Sequence, residues 1–405
     1  MSVVDNPTLM AISDALSVIL QMAPKPAETE VVYLEHAVGR VLAESPVAAV
    51  DVPPADNSSM DGYAINARSL SEGSKTSFTI SQRVPAGKAP QPLVAGTAAR
   101  IFTGAEIPQG ADTIVIQENV ELDGDKVVIS GPVQVGQNIR AKGQDIKEGQ
   151  AFLAKGARLQ AADVGVLAST GLDSIAVFRP IKVAIISTGD ELVSPGESLA
   201  PGQIYNSNRF VLASLLTQMG CVPIDIGKVA DTAEAVEEAL EQAAAQADCI
   251  ISTGGVSVGE EDHVKQSVER LGKLEVWRLK IKPGKPLAFG SVQETPFFGL
   301  PGNPASALIT FCLMARPFLI RMQGADYELP LAFNVPADFE RLKPGSRQEY
   351  MRARMEQGSI KVFHNQSSGI LSSASWSNGL VVIPPGDVVH KGDLVSFMPF
   401  SELLG

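Results

Sequence analysis

The chain has 405 residues, 45% of them hydrophobic, and a formal net charge of -12 from 33 Lys and Arg against 45 Asp and Glu. That length fits roughly two to four domains with cores of their own and excludes global disorder. The acidic balance argues against a protein whose main task is to grip nucleic acid, while leaving room for a local basic pocket. The three cysteines, Cys221, Cys249 and Cys312, form no CxxC pair. They read as buried thiols of a reducing compartment, not as a disulfide framework or a zinc site. His36, His263, His364 and His390 are scattered, so a bound metal is expected to be a hard cation on carboxylates. No signal-type start and no stretch of about 20 apolar residues is evident, and a cytoplasmic protein without membrane spans is expected.

In chain order, Asn6-Pro7 reads as a helix cap followed by proline at the first helical position. Leu9, Ile12, Leu16, Ile19 and Leu20 recur at helical spacing until Pro24 and Pro26 end the run. From about residue 72 to 140 the pattern turns to short β runs, over 78–84, 99–103 and 113–120. A turn at Leu122-Asp123-Gly124-Asp125 leads into a further run at 126–130. This stretch reads as an inserted all-β domain.

A strand–helix alternation begins at residue 181. Strands are expected over 181–187, 222–229, 248–253, 274–281 and 297–300. Helices are expected over 208–219, from a cap at Asp231 onward, over 263–271, and from Pro304 to near Gly324. Glu234, three residues after Asp231, suggests a capping box. Val236, Ala239, Leu240, Ala243, Ala244 and Ala247 then share one helix face. Such alternation implies a mostly parallel, doubly wound sheet. After Pro330, runs at 350–355, 360–364, 379–383 and 393–399 suggest a small C-terminal β-barrel.

Two strand ends combine glycine, hydroxyl and acid. The first is Ser187-Thr188-Gly189-Asp190-Glu191; the second runs Thr253-Gly254-Gly255-Val256-Ser257-Val258-Gly259-Glu260-Glu261-Asp262. Glycines let backbone N–H groups close on a ligand, and a following helix N-terminus favours anions. Open α/β sheets bind ligands at these carboxyl ends. Either loop alone is also what a plain tight turn looks like, and neither is a Walker A or GxGxxG motif. Acids beside an anion-binding loop repel phosphate unless a cation such as Mg²⁺ bridges them. Asp231, by its spacing, is a helix cap first.

A third run is Arg278-Leu279-Lys280-Ile281-Lys282-Pro283-Gly284-Lys285-Pro286. Alternation along one strand puts Arg278, Lys280 and Lys282 on the same side. That side is either a solvated edge protected by charge or an oxyanion pocket where Pro283 and Gly284 halt the strand. Pro301-Gly302-Asn303-Pro304-Ala305-Ser306 is a turn feeding a helix start. Asp56 to Ala64 and Thr103-Gly104-Ala105 read only as turns on composition.

Together these runs resemble the MoeA family of molybdopterin molybdenumtransferases, to which the C-terminal domain of gephyrin also belongs. The resemblance is carried by residues 59–64, 100–105, 187–192, 253–262, 281–286, 301–306 and 378–380, in family order along nearly the whole chain. Thr-Gly-Gly-Val-Ser-Val-Gly marks the pterin-binding superfamily, and Met-Asp-Gly-Tyr-Ala separates this branch from the single-domain adenylyltransferases. The resemblance implies a multidomain fold of α/β plus β type. Its parts would be a discontinuous N-terminal linking domain (1–50 and 142–178) and an inserted β domain (51–141). A doubly wound, MogA-like molybdopterin-binding domain (179–327) and a C-terminal β-barrel (328–405) would follow. It also implies an elongated homodimer, with the site between the α/β domain of one subunit and the β domains of its partner.

The family's acidic site residues map onto Asp61, Glu191, Asp231 and Asp262, which are the candidate Mg²⁺ ligands, and its threonine onto Thr103. Asp231 would then serve as both cap and site residue. The molybdate side maps onto Arg278, Lys282, Arg352 and Ser368. A lysine is usual where Arg278 stands, so the neighbouring Lys280 competes for that role. Ser187, Thr188, Gly189, Asp190, Thr253, Gly254, Gly255, Ser257, Gly259, Pro301, Gly302 and Asn303 would line the pterin substrate. The implied reaction inserts molybdenum from molybdate into adenylated molybdopterin, with Mg²⁺-dependent release of AMP. Rival readings are adenylation of molybdopterin itself, against which the extra β domains speak, and a gephyrin-type scaffold, which would carry a long linker. Implied protein partners are the adenylyltransferase and downstream molybdoenzyme maturation factors; nucleic acid and membrane are not implied.

Overall fold

The computed structural model describes residues 9–26, 28–70, 75–255 and 263–404. The expected cap at Asn6-Pro7 and the site residues Ser257, Gly259 and Asp262 lie outside them. The first described helix, Ile12–Met22, begins later than the apolar spacing suggests. The chain before it is committed elsewhere: the Met10 N–H donates to Arg278 O (2.9 Å), and Met10 O accepts from the Lys280 N–H (2.8 Å).

Thr29–Tyr33 pairs antiparallel with Ser174–Phe178, and bridges from Val41 to Arg158, Val47 to Ala151 and Val52 to Ile146 stitch the two segments together. Between them lies a six-stranded sheet in the order 113–116, 62–65, 97–101, 76–84, 126–129 and 120–123. Gly62–Ile65, expected only as a turn, is a fully buried strand of this sheet.

The central sheet runs in the order Val222–Val229, Lys182–Thr188, Cys249–Thr253, Thr295–Leu300, Pro286–Val292, Gly272–Arg278. The first four strands are mutually parallel, and Pro286–Val292 runs against its two neighbours. Successive side chains of a strand face opposite sides, and the sequence supplies apolar residues to both. Val183, Ile185 and Phe298 pack beneath the helices Ser207–Gln218 and Pro304–Met322, together with the N-terminal helix. Ala184, Ile186 and Phe297 pack on the other face against Ala233–Gln246 and His263–Leu271. This is the expected doubly wound arrangement, with one antiparallel strand inside it.

Pro304–Met322 is long and apolar enough to cross a membrane, contrary to the expectation that no stretch would be, but 89% of that window is buried inside the fold. It widens to a π-helical turn over Phe311–Ala315, just before Pro317. Proline has no N–H to donate and its ring crowds the preceding turn, and a locally wider helix relieves both. Burial pushes the Cys221 and Cys312 thiols up to about 12 and raises Cys249 as well, so all three stay protonated core side chains.

Two expectations fail locally. The cap of Ala233–Gln246 is Thr232, whose hydroxyl accepts from the Ala235 N–H (3.3 Å); Asp231 is exposed one residue outside it. Thr232→Ala is therefore expected to cost the α/β unit about 1 kcal/mol, read as lost hydrogen-exchange protection across Ala233–Gln246, and Asp231→Ala close to nothing. The opposite ranking would return the cap to Asp231. The strand expected over 274–281 stops at Arg278, where the Leu279 N–H donates to Lys285 O (2.7 Å) and closes a turn.

Beyond that turn, Ile281–Lys282 leaves the α/β sheet and pairs in parallel with Gln348 and Glu349. It becomes the edge of the C-terminal sheet, ordered 281–282, 348–356, 379–383, 394–399, 333–336. Ser359–Val362 pairs with the second of these strands, and a bridge from Ala337 to Ile360 joins the far end back to it. The sheet thus closes around Val335, Ala353, Ile360, Val381 and Phe397.

Candidate functional site

The carboxyl ends of Lys182–Thr188 and Cys249–Thr253 lie side by side, with Ser187 opposite Thr253. Ser187, Ser252 and Thr253 are buried, and their hydroxyls have no hydrogen-bond partner among the described residues. A buried polar group without a partner is costly, so three at two adjacent strand ends mark a place where backbone or ligand chemistry is expected. Gly254 and Gly255 follow in left-handed conformations (φ +87° and +64°). The Gly254 N–H donates to Leu300 O (3.1 Å), which draws the glycine turn against Pro301-Gly302. Asn303 then leads into the long apolar helix with Pro304 at its first position. The Asn208 side chain holds Gly302 O (2.8 Å), and the Ala305 N–H donates to Ser368 O (2.9 Å), tying the helix start to the C-terminal domain.

These pieces form one wall of a cavity of about 580 Å³. Gly254, Gly255, Pro301, Gly302 and Asn303 line that wall; Lys282 to Pro286 form a second, and Arg347, Gln366, Ser367 and Ser368 a third. Lys282, Lys285 and Arg347 supply positive charge, and no Asp or Glu lines the cavity among the described residues. A concave site of this sign collects anions. Behind Lys282 stands Glu349, which accepts from its Nζ (3.1 Å) and from Arg341 Nη2 and Nε (2.7 and 2.8 Å). Burial alone would raise the Glu349 carboxyl, but the hydrogen bonds from Arg341 and Lys282 hold it below its usual range.

Of the residues expected on the oxyanion side, Lys282 and Ser368 line the cavity. Arg278 and Lys280 do not: the strand ends at Arg278 and Lys280 lies in the bend before Ile281–Lys282, so the shared strand face expected for the three does not exist. Arg352 is fully buried behind the third wall, its Nη2 donating to Ser367 O (2.8 Å) and its Nε to Ser373 Oγ (2.9 Å). Burial lowers it to about 10, which leaves it charged at neutral pH and holding the serine loop in place. Arg347, Gln366 and Ser367 were not singled out in the sequence. They have no local motif and reach the cavity only through docking of the C-terminal domain.

Among the described residues, the candidate acids Asp61, Glu191 and Asp231 are not gathered by one chain. Glu191 is exposed and folds against Gly189, where an added Cβ would lie 2.6 Å from its Oε2. Asp190 is exposed beside it, and its carbonyl accepts from Lys228 Nζ (3.1 Å). Thr188 is buried beside the glycine turn. Asp61 and Thr103 do meet, the Thr103 N–H (2.7 Å) and hydroxyl (2.8 Å) both donating to Asp61 Oδ1. Neither they nor Asp231 line the cavity. Among the described residues, no three His, Cys, Asp or Glu side chains come together to hold a metal ion.

The Thr103 N–H, then its hydroxyl, hold the Asp61 carboxyl below its ordinary value of 3.8. A depressed carboxylate adds stability that is present above the unfolded value and lost as pH falls through the folded one. Thr103→Val removes the hydroxyl bond and keeps the larger backbone one. Its Asp61 carboxyl should titrate higher than in the parent, though still below 3.8, in a carbon-detected NMR titration. An unchanged midpoint would deny the contact any role.

Comparison with known proteins follows this division of the chain. The "MoeA N-terminal region (domain I and II)" matches residues 10–171, the "Probable molybdopterin binding domain" residues 184–321, and the "MoeA C-terminal region (domain IV)" residues 334–400. A molybdopterin molybdenumtransferase of Haemophilus influenzae is 37% identical over 98% of this chain and 100% of its own length. One from Nostoc sp. is 36% identical over 93% of this chain and 90% of its own. A crystal structure of the molybdopterin biosynthesis MoeA protein of Pyrococcus horikoshii superposes with a TM-score of 0.85 at 32% identity, covering 97% of this chain and all of that one.

Proposed function

This chain belongs to the MoeA family, and we infer from that premise and from its cavity that it is a molybdopterin molybdenumtransferase of molybdenum cofactor biosynthesis. The observation that carries the chemistry is the cationic cavity wall of Lys282, Lys285 and Arg347 opposite the Gly254-Gly255 turn. Molybdate, a tetrahedral dianion, sits against the cationic wall, with Ser367 and Ser368 as further hydrogen-bonding groups. Adenylated molybdopterin lays its pyrophosphate over the glycine turn, beside the unpartnered hydroxyls of Ser187 and Thr253. The two dithiolene thiols form two Mo–S bonds in place of two Mo–O bonds, and the released oxygens leave as two waters with the two thiol protons and two more from solvent. Hydrolysis of the pyrophosphate then frees AMP and the cofactor. The protein positions the reactants and offsets their charge, and no side chain acts as a covalent nucleophile.

Among the described residues no three carboxylates of one chain gather around a metal position, and no step here is routed through Mg²⁺. A site drawn from Asp61, Glu191 and Asp231 requires two subunits to pool them. We accordingly propose a homodimer, supported by the Asp61–Thr103 pair standing apart from this chain's own cavity. We draw the domain limits at 1–50 with 142–178, 51–141, 179–327 and 328–405. In support, each large sheet lies within one of those spans save for Ile281–Lys282. The substrate comes from the adenylyltransferase, and the product passes to maturation factors in the cytoplasm. The test is AMP release by purified protein from adenylated molybdopterin. It is expected to depend on added molybdate; release without molybdate, or none with it, would overturn the reading.

A further inference from the structure

The segment carrying Lys282 is held from the C-terminal domain at three points. The Gln348 N–H donates to Lys280 O (3.0 Å), Arg347 Nη1 donates to Ile281 O (3.0 Å), and Lys282 Nζ reaches Glu349 Oε1 (3.1 Å). The last contact follows from register, because Lys282 and Glu349 are directly opposed in a parallel pair. The Lys282 side chain is 52% exposed and open to the cavity, whereas Glu349 is 9% exposed. Arg341, 14% exposed, takes both Glu349 oxygens in a fork. A bidentate arginine fixes a carboxylate in plane and offsets its charge.

We propose that Glu349 is a positioning residue for Lys282, and that Arg341 lets it hold the lysine without cancelling the lysine's charge. The three groups carry two positive charges and one negative, so a net positive charge remains, and it faces the cavity. A lysine stem is flexible, and one point of attachment to a rigid strand sets where its ammonium waits for an oxyanion. The inference rests on Lys282 being an oxyanion-binding residue of the reaction proposed above.

The experiment is steady-state AMP release by the full chain, with molybdate titrated to saturation. It compares the parent, Glu349→Gln, Glu349→Asp, Lys282→Met and the Lys282→Met/Glu349→Gln pair. Glu349→Gln is expected to raise the KM for molybdate about tenfold, the scale of coupling within one ion-pair network, with kcat changed less than about threefold. On the Lys282→Met background the same change should add less than about twofold, because the group it acts through is gone. An unchanged or lowered KM, or an equal rise on both backgrounds, overturns the proposal. If Lys282→Met itself leaves the KM unaltered, the oxyanion role of Lys282 fails. If Lys282→Met raises it and Glu349→Gln does not, only the positioning role fails. Should Glu349→Gln not fold, Glu349→Asp decides: it keeps the carboxylate but withdraws it from Lys282, and a normal Tm with an unchanged KM rejects the idea.

Discussion

Gly284→Ala should lower turnover about a hundredfold, the penalty that an ångström-scale displacement of reacting groups can carry. Gly284 lies on the cavity wall two residues after Lys282, with φ +96°, where side chains are rarely accommodated. A Cβ there would fall 2.4 Å from Thr310 Oγ1, on a buried stretch of the long apolar helix. Overpacking of this kind costs about 1–3 kcal/mol, and the left-handed backbone adds about 1–2. Because the helix is fixed by its core contacts, the turn must yield, and Lys282 moves with it. The two contributions separate experimentally. Thr310→Ala added to Gly284→Ala removes the colliding oxygen and should recover the packing share of the stability loss while leaving the backbone share. Hydrogen exchange across Pro304–Met322 and AMP release check both, and a Gly284→Ala protein of parental protection and rate would refute the geometry.

The second large effect lies in the core. Phe298 is fully buried, with ring centroids 4.9 Å from Phe289 and 5.1 Å from Phe318 in a cluster that extends to Trp277. Phe298→Ala leaves a void among rings that cannot close over it and should cost about 3–5 kcal/mol. A chain of several domains does not unfold in one step, so a single midpoint would misreport that loss. Hydrogen exchange resolves it. Protection is expected to drop across Lys182–Thr188, Cys249–Thr253 and Thr295–Leu300 and to persist in Gly379–Ile383 of the C-terminal sheet. An equal drop in both sheets would mean that they open together.

Lys182–Thr188 and Cys249–Thr253 were legible because each is a nearly continuous apolar run buried on both faces, as a parallel sheet requires. Pro286–Val292 escaped notice because it opens on proline, which reads as a stop but is tolerated at a strand's first residue. The span 274–281 looked like one alternating strand because its partner after Arg278 is made far downstream, and no local pattern announces that. The site divided in the same way. Its glycines could be read directly, since tight turns and close approach are local demands. Arg347, Gln366 and Glu349 could not, since what places them is contact between domains. Arg352 came only through family resemblance, and its position behind Ser367 shows a supporting arginine where a direct contact had been expected.

The parallel pairing of Ile281–Lys282 with Gln348 and Glu349 also orders events in time. Chains emerging from the ribosome tend to fold from the N-terminal side, domain by domain. The glycine turn and the lysine-bearing turn therefore leave the ribosome before the strand that fixes the lysine. A nascent chain can complete the glycine wall of the cavity and still lack the wall that faces it. The cavity is assembled in sequence, and it is whole only when the last domain closes.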